Sequence, residues 1–203
     1  MAQLPTGPQA ADPERARRAA ARRCGPCSHC CSVLRVDELG KRAGLDCVHQ
    51  RGEQGCAIHA TRPSICRSYH CLWLQGGLED DERPDRTGGL VDLETTGIGL
   101  RLAIREVRRG AYDASPALQA IAARYRDQMP VRITDAHDVM DPDRPFRVLL
   151  ADGVEQHVAG DRITTYQHGA LVREARLPWA DRLGRRVSIL LRRLSLRRGA
   201  TRG

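Results

Sequence analysis

The rhythm of apolar and polar positions changes several times along this chain. Up to about residue 20 no apolar face forms: Pro5, Pro8 and Pro13 interrupt the stretch, and Glu14 to Arg23 is an Ala/Arg run. That pattern predicts a disordered or weakly helical arm over residues 1–20. Between Gln75 and Gly89 the chain is polar and rich in breakers, with Gly76-Gly77, Glu79-Asp80-Asp81-Glu82, Pro84 and Gly88-Gly89. A linker or loop is expected over 75–89, separating the residues before it from those after.

Past that boundary a two-residue period sets in. Ile98, Leu100, Leu102 and Ile104 alternate with Gly99, Arg101 and Ala103, as in a half-buried strand. Ser115-Pro116 supplies an N-cap and a proline at the first helical position, and Leu118, Ile121, Ala122 and Tyr125 then line one helical face. Val131 and Ile133 start another extended piece. Phe146, Val148 and Leu150 alternate before Asp152-Gly153, a strong hairpin signal, with Val154 and Val158 on the return strand. A second hairpin is expected to turn at His168-Gly169, between Ile163 to Tyr166 and Ala170 to Leu177. Residues 90–178 therefore read as an α+β region, a small antiparallel sheet with one packed helix.

From Trp179 onward the period lengthens to that of a helix. Leu183, Val187, Leu190, Leu191 and Leu194 form a stripe, and Arg182, Arg185, Arg186, Arg192, Arg193, Arg197 and Arg198 fill much of the remainder. Residues 179–203 are predicted to be a basic amphipathic helix and tail. Its stripe is expected to cover the sheet while its arginines face water. Such a helix can also dock on an acidic protein, anionic lipid or nucleic acid phosphate. No interleaved aromatics support stacking of single-stranded bases.

Composition narrows the class. The chain has 203 residues and a formal charge of +8, with one Phe, two Trp and four Tyr, so its core must rest on aliphatic residues. No apolar stretch approaches the ~20 residues needed to cross a bilayer. Residues 90–178 contain no G-x-S-x-G, H-E-x-x-H, phosphate-loop or dinucleotide fingerprint. Asp135, His137, Asp138, Asp141 and Asp143 cluster around Pro142 and Pro145, where an acidic turn is the expected reading and a hard-metal site the alternative.

The candidate chemistry lies in residues 21–74. All eight cysteines fall there: Cys24, Cys27, Cys30, Cys31, Cys47, Cys56, Cys66 and Cys71. Thiolates at C-x-x-C spacing on a tight turn can face one ion, and two such spacings overlap here, with Gly25 and Pro26 shaping the first. Four soft ligands from each half of the set suit tetrahedral zinc or an iron-sulfur cluster. A secreted disulfide framework is disfavoured because the stretch up to Arg23 has no apolar signal region, and buried structural thiols would be scattered along the chain. Thiols expected to be reduced favour the cytoplasm.

The run Cys24-x-x-Cys27-x-x-Cys30-Cys31 is followed by Cys56-Ala-Ile-His59-Ala-Thr-Arg62-Pro63-Ser-Ile-Cys66-Arg67-Ser-Tyr-His-Cys71. This pair of motifs resembles the bacterial CxxCxxCC family of zinc- or iron-chelating proteins, over about residues 24 to 74. His59 departs from the family pattern, which usually has Tyr there. The resemblance implies binding of a metal ion or cluster by the cysteines. The continuation after Cys30 differs from that of bacterial ferredoxins, since Cys31 follows directly. Adjacent cysteines could face different sites or bridge one.

Arg62 and Arg67 place positive charge beside the cysteines and are the candidate cofactor-binding residues, with Pro63 starting a short helix that sets Arg67 and Cys71 on one face. His29, His49 and His70 are expected to be hydrogen-bonding or solvated residues. The expectation is a zinc- or iron-chelating, non-catalytic module over 21–74, with the α+β region attached. The alternative is an iron-sulfur protein acting in electron transfer or as a component of a modification enzyme.

Overall fold

The computed structural model describes residues 13–97, 99–137, 139 and 141–200, and for Arg185 and residues 192–200 it describes the backbone alone. Expectations for residues 1–12, for Ile98 and Asp138, and for the side chains of Arg185, Arg192, Arg193, Leu194, Arg197 and Arg198 lie outside the described residues.

Seven strands form one sheet in chain order: β1 (Gly89–Thr96), β2 (Gly99–Glu106), β3 (Val131–Asp135), β4 (Phe146–Leu149), β5 (Val154–Ala159), β6 (Arg162–Gln167) and β7 (Ala170–Arg176). The class is α+β, but the sheet is larger than the small one expected and is not wholly antiparallel. Strands β2 and β3 run parallel, in register Leu102 to Val131 and Ile104 to Ile133. A parallel pair needs a crossover, supplied here by α5 (Ala111–Ala114) and α6 (Pro116–Arg126). The capping expectation holds: Leu118 N–H donates to Ser115 Oγ at 3.3 Å with Pro116 at the first turn, and Leu118, Ile121 and Ala122 are buried. Both predicted hairpins form. Asp152 and Gly153 have φ of 55° and 70°, and His168 and Gly169 have 48° and 81°, the double left-handed pattern of a tight two-residue turn.

Strand alternation gives the sheet two faces with different coverings. Val91, Leu93, Leu102, Ile104, Val131 and Ile133 share one face by register, and α6 packs there against β2 and β3. A Cβ on Gly89 would meet Leu118 Cδ1 at 2.8 Å, so helix and strand approach closely. Leu90, Asp92, Ala103, Arg105 and Thr134 share the other face, and the cysteine-bearing segment lies against it: Tyr69 Oη donates to Asp92 Oδ2 at 2.6 Å. The free edge of β1 is also covered, since Leu72 N–H donates to the Val91 carbonyl at 2.9 Å. One apolar core results, joining Val33, Cys71, Leu72, Trp73 and Leu78 to the strand and α6 residues. Residues 75–89 carry a single 3₁₀ turn and the short α4 (Pro84–Thr87), and Leu78, Glu82, Pro84 and Thr87 are buried.

The two terminal elements are held differently. Residues Pro13–Ala21 form α1, which is anchored by arginines rather than by an apolar face. Arg15 Nε donates to the Gln75 carbonyl and Arg18 Nε to that of Gly76, each at 3.1 Å. Gly76 has a φ of +74°, and a Cβ there would stand 2.1 Å from the Arg15 carbonyl oxygen, so the close approach requires glycine. At the other end α7 (Trp179–Ala200) forms, but Trp179, Leu183, Val187, Leu190 and Leu191 are all exposed. The described part of its stripe therefore does not cover the sheet. No described helix is long and apolar enough to cross a membrane.

Candidate metal centre

The first run of cysteines is shaped by local turns. Cys27 N–H donates to the Cys24 carbonyl at 3.1 Å, which closes the first C-x-x-C turn, and Gly25 there has a φ of +55°. Cys31 N–H donates to Ser28 at 2.8 Å, leading into α2 (Cys30–Val33). Hydroxyls then fasten the next loop to this run. Ser32 Oγ donates to Asp46 Oδ1 at 2.6 Å, Ser28 Oγ donates to the Gly52 carbonyl at 3.2 Å, and Gln50 Nε2 donates to Ser28 Oγ at 3.1 Å. Gly55 packs so tightly on Gly25 that a Cβ would stand 2.9 Å from its carbonyl oxygen. An isolated bridge between Gln50 and Cys56 brings Cys47 and Cys56 to the two sides of one turn.

The second run follows. Pro63 precedes α3 (Ser64–Ser68), as the motif predicted. The helix ends there, however, because Tyr69 turns extended at φ −77° and ψ 124°. Arg67 and Cys71 therefore do not share a helical face. Tyr69 is instead directed to Asp92, and Cys71 continues toward the β1 edge.

This path brings all eight cysteines to the wall of one cavity of about 60 Å³, lined also by Val36, Lys41, His59, Arg62, Trp73, Arg83 and Leu90. All eight are free thiols. Among the described residues, no three His, Cys, Asp or Glu donors converge tightly enough to hold a metal ion as they stand. The sulfurs are engaged with one another: Cys30 shares a thiol hydrogen bond with Cys31, and Cys31 another with Cys56. Receiving the Cys30 hydrogen bond holds the Cys31 thiol below its ordinary value, and that same bond together with burial drives Cys30 far above it. Burial also raises Cys27, Cys56 and Cys66, and pushes Cys71 up to about 11.

Cations face this sulfur-rich wall. Arg62 lines the cavity, donates through Nε to the Cys66 carbonyl at 3.2 Å and reaches His59 Nε2 at 2.8 Å. Guanidinium can only donate, so His59 Nε2 accepts and that lone pair is occupied. Arg67 is exposed and does not line the cavity; its Nη1 donates to the Arg62 carbonyl at 2.7 Å and so braces the neighbouring arginine. His29, His49 and His70 do not line the cavity either. Lys41 is buried at 9% exposure, with Nζ donating to the carbonyls of Leu34 and Arg42, and burial lowers its pKa.

Sequence reasoning missed Lys41, Trp73 and Arg83. Trp73 follows Cys71 closely enough that the motif could have been extended to it, whereas Lys41 and Arg83 reach the cavity only through the fold. The Trp73 indole N–H is buried without a protein partner, in a residue that lines the cavity. Lys41, Arg62 and Arg83 line the same cavity, and cations there offset negative charge on any ionised thiol. Sulfur donors of this kind are chemically those of a thiophilic metal, but the described residues do not bring three of them together.

The acidic cluster behaves as turn chemistry. Asp135 Oδ1 accepts from the backbone N–H of His137 at 2.7 Å and contacts its Nδ1 at 2.8 Å, and Asp141 Oδ1 accepts from Asp143 N–H at 2.9 Å. No family model, no curated protein and no solved structure matches this chain.

Proposed function

We propose that the protein binds zinc or iron through its cysteines, as a non-catalytic metal-holding protein of the CxxCxxCC kind. The observation that supports this most is the gathering of all eight cysteines, from segments up to 47 positions apart in sequence order between Cys24 and Cys71, on one cavity faced by Lys41, Arg62 and Arg83. Free thiols beside cations are the ordinary setting for thiolate ligation. Holding the metal in reducing cytoplasm would be consistent with the absence of disulfides among them. Zinc supplies no redox chemistry and would make the module structural; an iron-sulfur cluster would supply one-electron transfer.

One observation favours the second reading, an iron-sulfur protein acting in electron transfer or in a modification enzyme. Tyr69 and Leu34 also line a separate cavity of about 410 Å³, with Arg35, Arg42, Arg105 and Arg144 on its walls. That volume lies in the range of small-molecule sites, with walls of mixed charge: Asp92 and Asp135 line it too, and Arg105 is paired with Asp92. Metal analysis of Cys27→Ser and Cys66→Ser tests the shared premise of both readings. Each variant should hold less metal and destabilise residues 24–74; full metal content with unchanged melting in both would remove those cysteines from the ligand set.

A further inference from the structure

We infer that α7 lies flat on an anionic lipid surface, with its apolar stripe in the acyl boundary and its arginines at the headgroups. Trp179, Leu183, Val187, Leu190 and Leu191 are 44–76% exposed. At about 100° per residue they fall within roughly one third of the helix circumference, so they make one continuous apolar face. Among the described residues nothing covers it, because the helix is seated by another side. Leu177 N–H donates to the Asp161 carbonyl at 2.7 Å, and Arg182 Nη1 stands 3.5 Å from Asp161 Oδ2. Arg182 and Arg186 also line one hollow with Asp143 and Asp161. Ile189, which the same period puts on the flank of Arg182, is half-buried. Contacts to the turn between β5 and β6 therefore hold the stripe outward.

Charge decides what the stripe meets. Residues 179–203 contain eight arginines and a single acid, Asp181, so nearly all of the chain's formal +8 resides there. An anionic bilayer complements both features along one plane. Its acyl boundary takes the apolar side chains, and its headgroups attract arginine by about fivefold in affinity per charge. Trp179 stands in the first turn, and tryptophan favours the headgroup level. Other occupants match only part of this surface. Nucleic acid phosphate offers the arginines a partner but the stripe none, and Trp179 is the one aromatic residue in 179–203. A second copy would set one arginine-rich helix against another. An acidic protein would need an apolar groove rimmed by carboxylates, whereas a bilayer presents both without a built groove. No described residue of α7 lines the sulfur cavity, so this surface stands independently of what the thiols hold.

Vesicle flotation with the full-length protein tests the assignment. Vesicles of equal parts phosphatidylcholine and phosphatidylglycerol are compared with vesicles of phosphatidylcholine alone. Binding to the anionic vesicles should be tighter by about tenfold or more and should weaken as salt rises. Tryptophan emission should shift to the blue on binding, and the shift should vanish in Trp179→Phe, because Trp73 is already only 7% exposed. Leu183→Gln combined with Leu190→Gln should weaken binding about tenfold or more, and Arg186→Gln about fivefold. These side chains are exposed and glutamine keeps helix propensity, so circular dichroism of the free variants should match that of the parent. Equal partition onto both vesicle types, partition onto neither, or unchanged affinity in the double variant would overturn the assignment. Without vesicle binding, capture of poly(U) or polyglutamate would give the surface to nucleic acid or to an acidic protein. A dimer that the double variant dissolves, again without vesicle binding, would give it to a second copy.

Discussion

Replacing Arg22 by Met removes a guanidinium that ties α1 to the sulfur cavity while keeping most of the side-chain volume. Arg22 is only 7% exposed, its Nη1 donates to the Trp73 carbonyl at 2.6 Å, and its guanidinium carbon stands 4.5 Å over the Trp73 ring. That carbonyl keeps a second hydrogen bond, from Gly76 N–H at 2.9 Å, so what is lost is one charge-assisted hydrogen bond, about 1.5–3 kcal/mol. Loss of the cation–π contact adds roughly 1–2 kcal/mol at a desolvated site. Part is regained, because Arg22 Nε is itself buried without a partner and its removal ends that penalty. The partner carboxylate Asp80 is exposed, so water screens its ion pair with Arg22. A net loss of about 2–4 kcal/mol remains, a large fraction of the stability of a typical domain. Urea unfolding followed by Trp73 fluorescence would measure it, in a Trp179→Phe background because Trp179 is exposed and would add a solvent-like signal. Arg17→Met, at an exposed position of α1, is the control and should stay within about 0.5 kcal/mol. If Arg22→Met cost no more than Arg17→Met, α1 would not be anchored through Trp73, and the reasoning that arginines dock this helix would fail.

Other expectations follow from single contacts. Leu118→Ala empties a fully buried site under the sheet and should cost about 2–5 kcal/mol in the same unfolding assay, and a loss below one kcal/mol would contradict the packing of α6. Gly76→Ala should cost at least ~1 kcal/mol and raise hydrogen exchange across Pro13–Ala21, because the new methyl would strike the Arg15 carbonyl at a left-handed φ. Unchanged exchange would argue against that approach. Truncation after Pro178 should leave metal content intact, as no described residue of α7 lines the sulfur cavity; metal loss would show otherwise.

The thiols also set a pH dependence. In the metal-free fold burial holds Cys71 neutral up to about 11, above the ordinary thiol value of 9.0. The unfolded chain then ionises first, so this contribution to stability is present below pH 9, declines through the window from about 9 to 11, and is gone above it. Metal uptake at neutral pH must displace such protons. Calorimetry in buffers of different ionisation enthalpy should register proton release on zinc addition, and none would mean that the raised thiols are not ligands.

Local chemistry was legible in the sequence where a few adjacent residues decide the outcome. Asp152-Gly153, His168-Gly169 and Ser115-Pro116 carry their own φ preferences and caps, so those turns and the start of α6 were read correctly. The parallel pairing of β2 with β3 was not, because hairpin signals speak only for neighbours and a crossover is decided by which faces the helix can bury. Strand β1 escaped because Gly89 to Asp92 is buried on both faces and has no alternation to detect. Docking of α1 by arginine-to-carbonyl bonds leaves no apolar period, and the stripe of α7 described exposed residues that the sheet does not meet. In the site, cysteine spacing identified the sulfur donors as candidates, but Lys41 and Arg83 come from segments with no motif of their own, and the expected Arg67–Cys71 face was undone by one extended residue, Tyr69.

The most direct test of the central claim is elemental analysis with a visible absorption spectrum on protein purified anaerobically without a metal-affinity tag. Zinc or iron in stoichiometric amount is predicted, lost in step with alkylation of the cysteines, with acid-labile sulfide and a broad visible band if the metal is held as a cluster. Metal-free protein whose thiols stay open to alkylation after incubation with either metal would contradict the account.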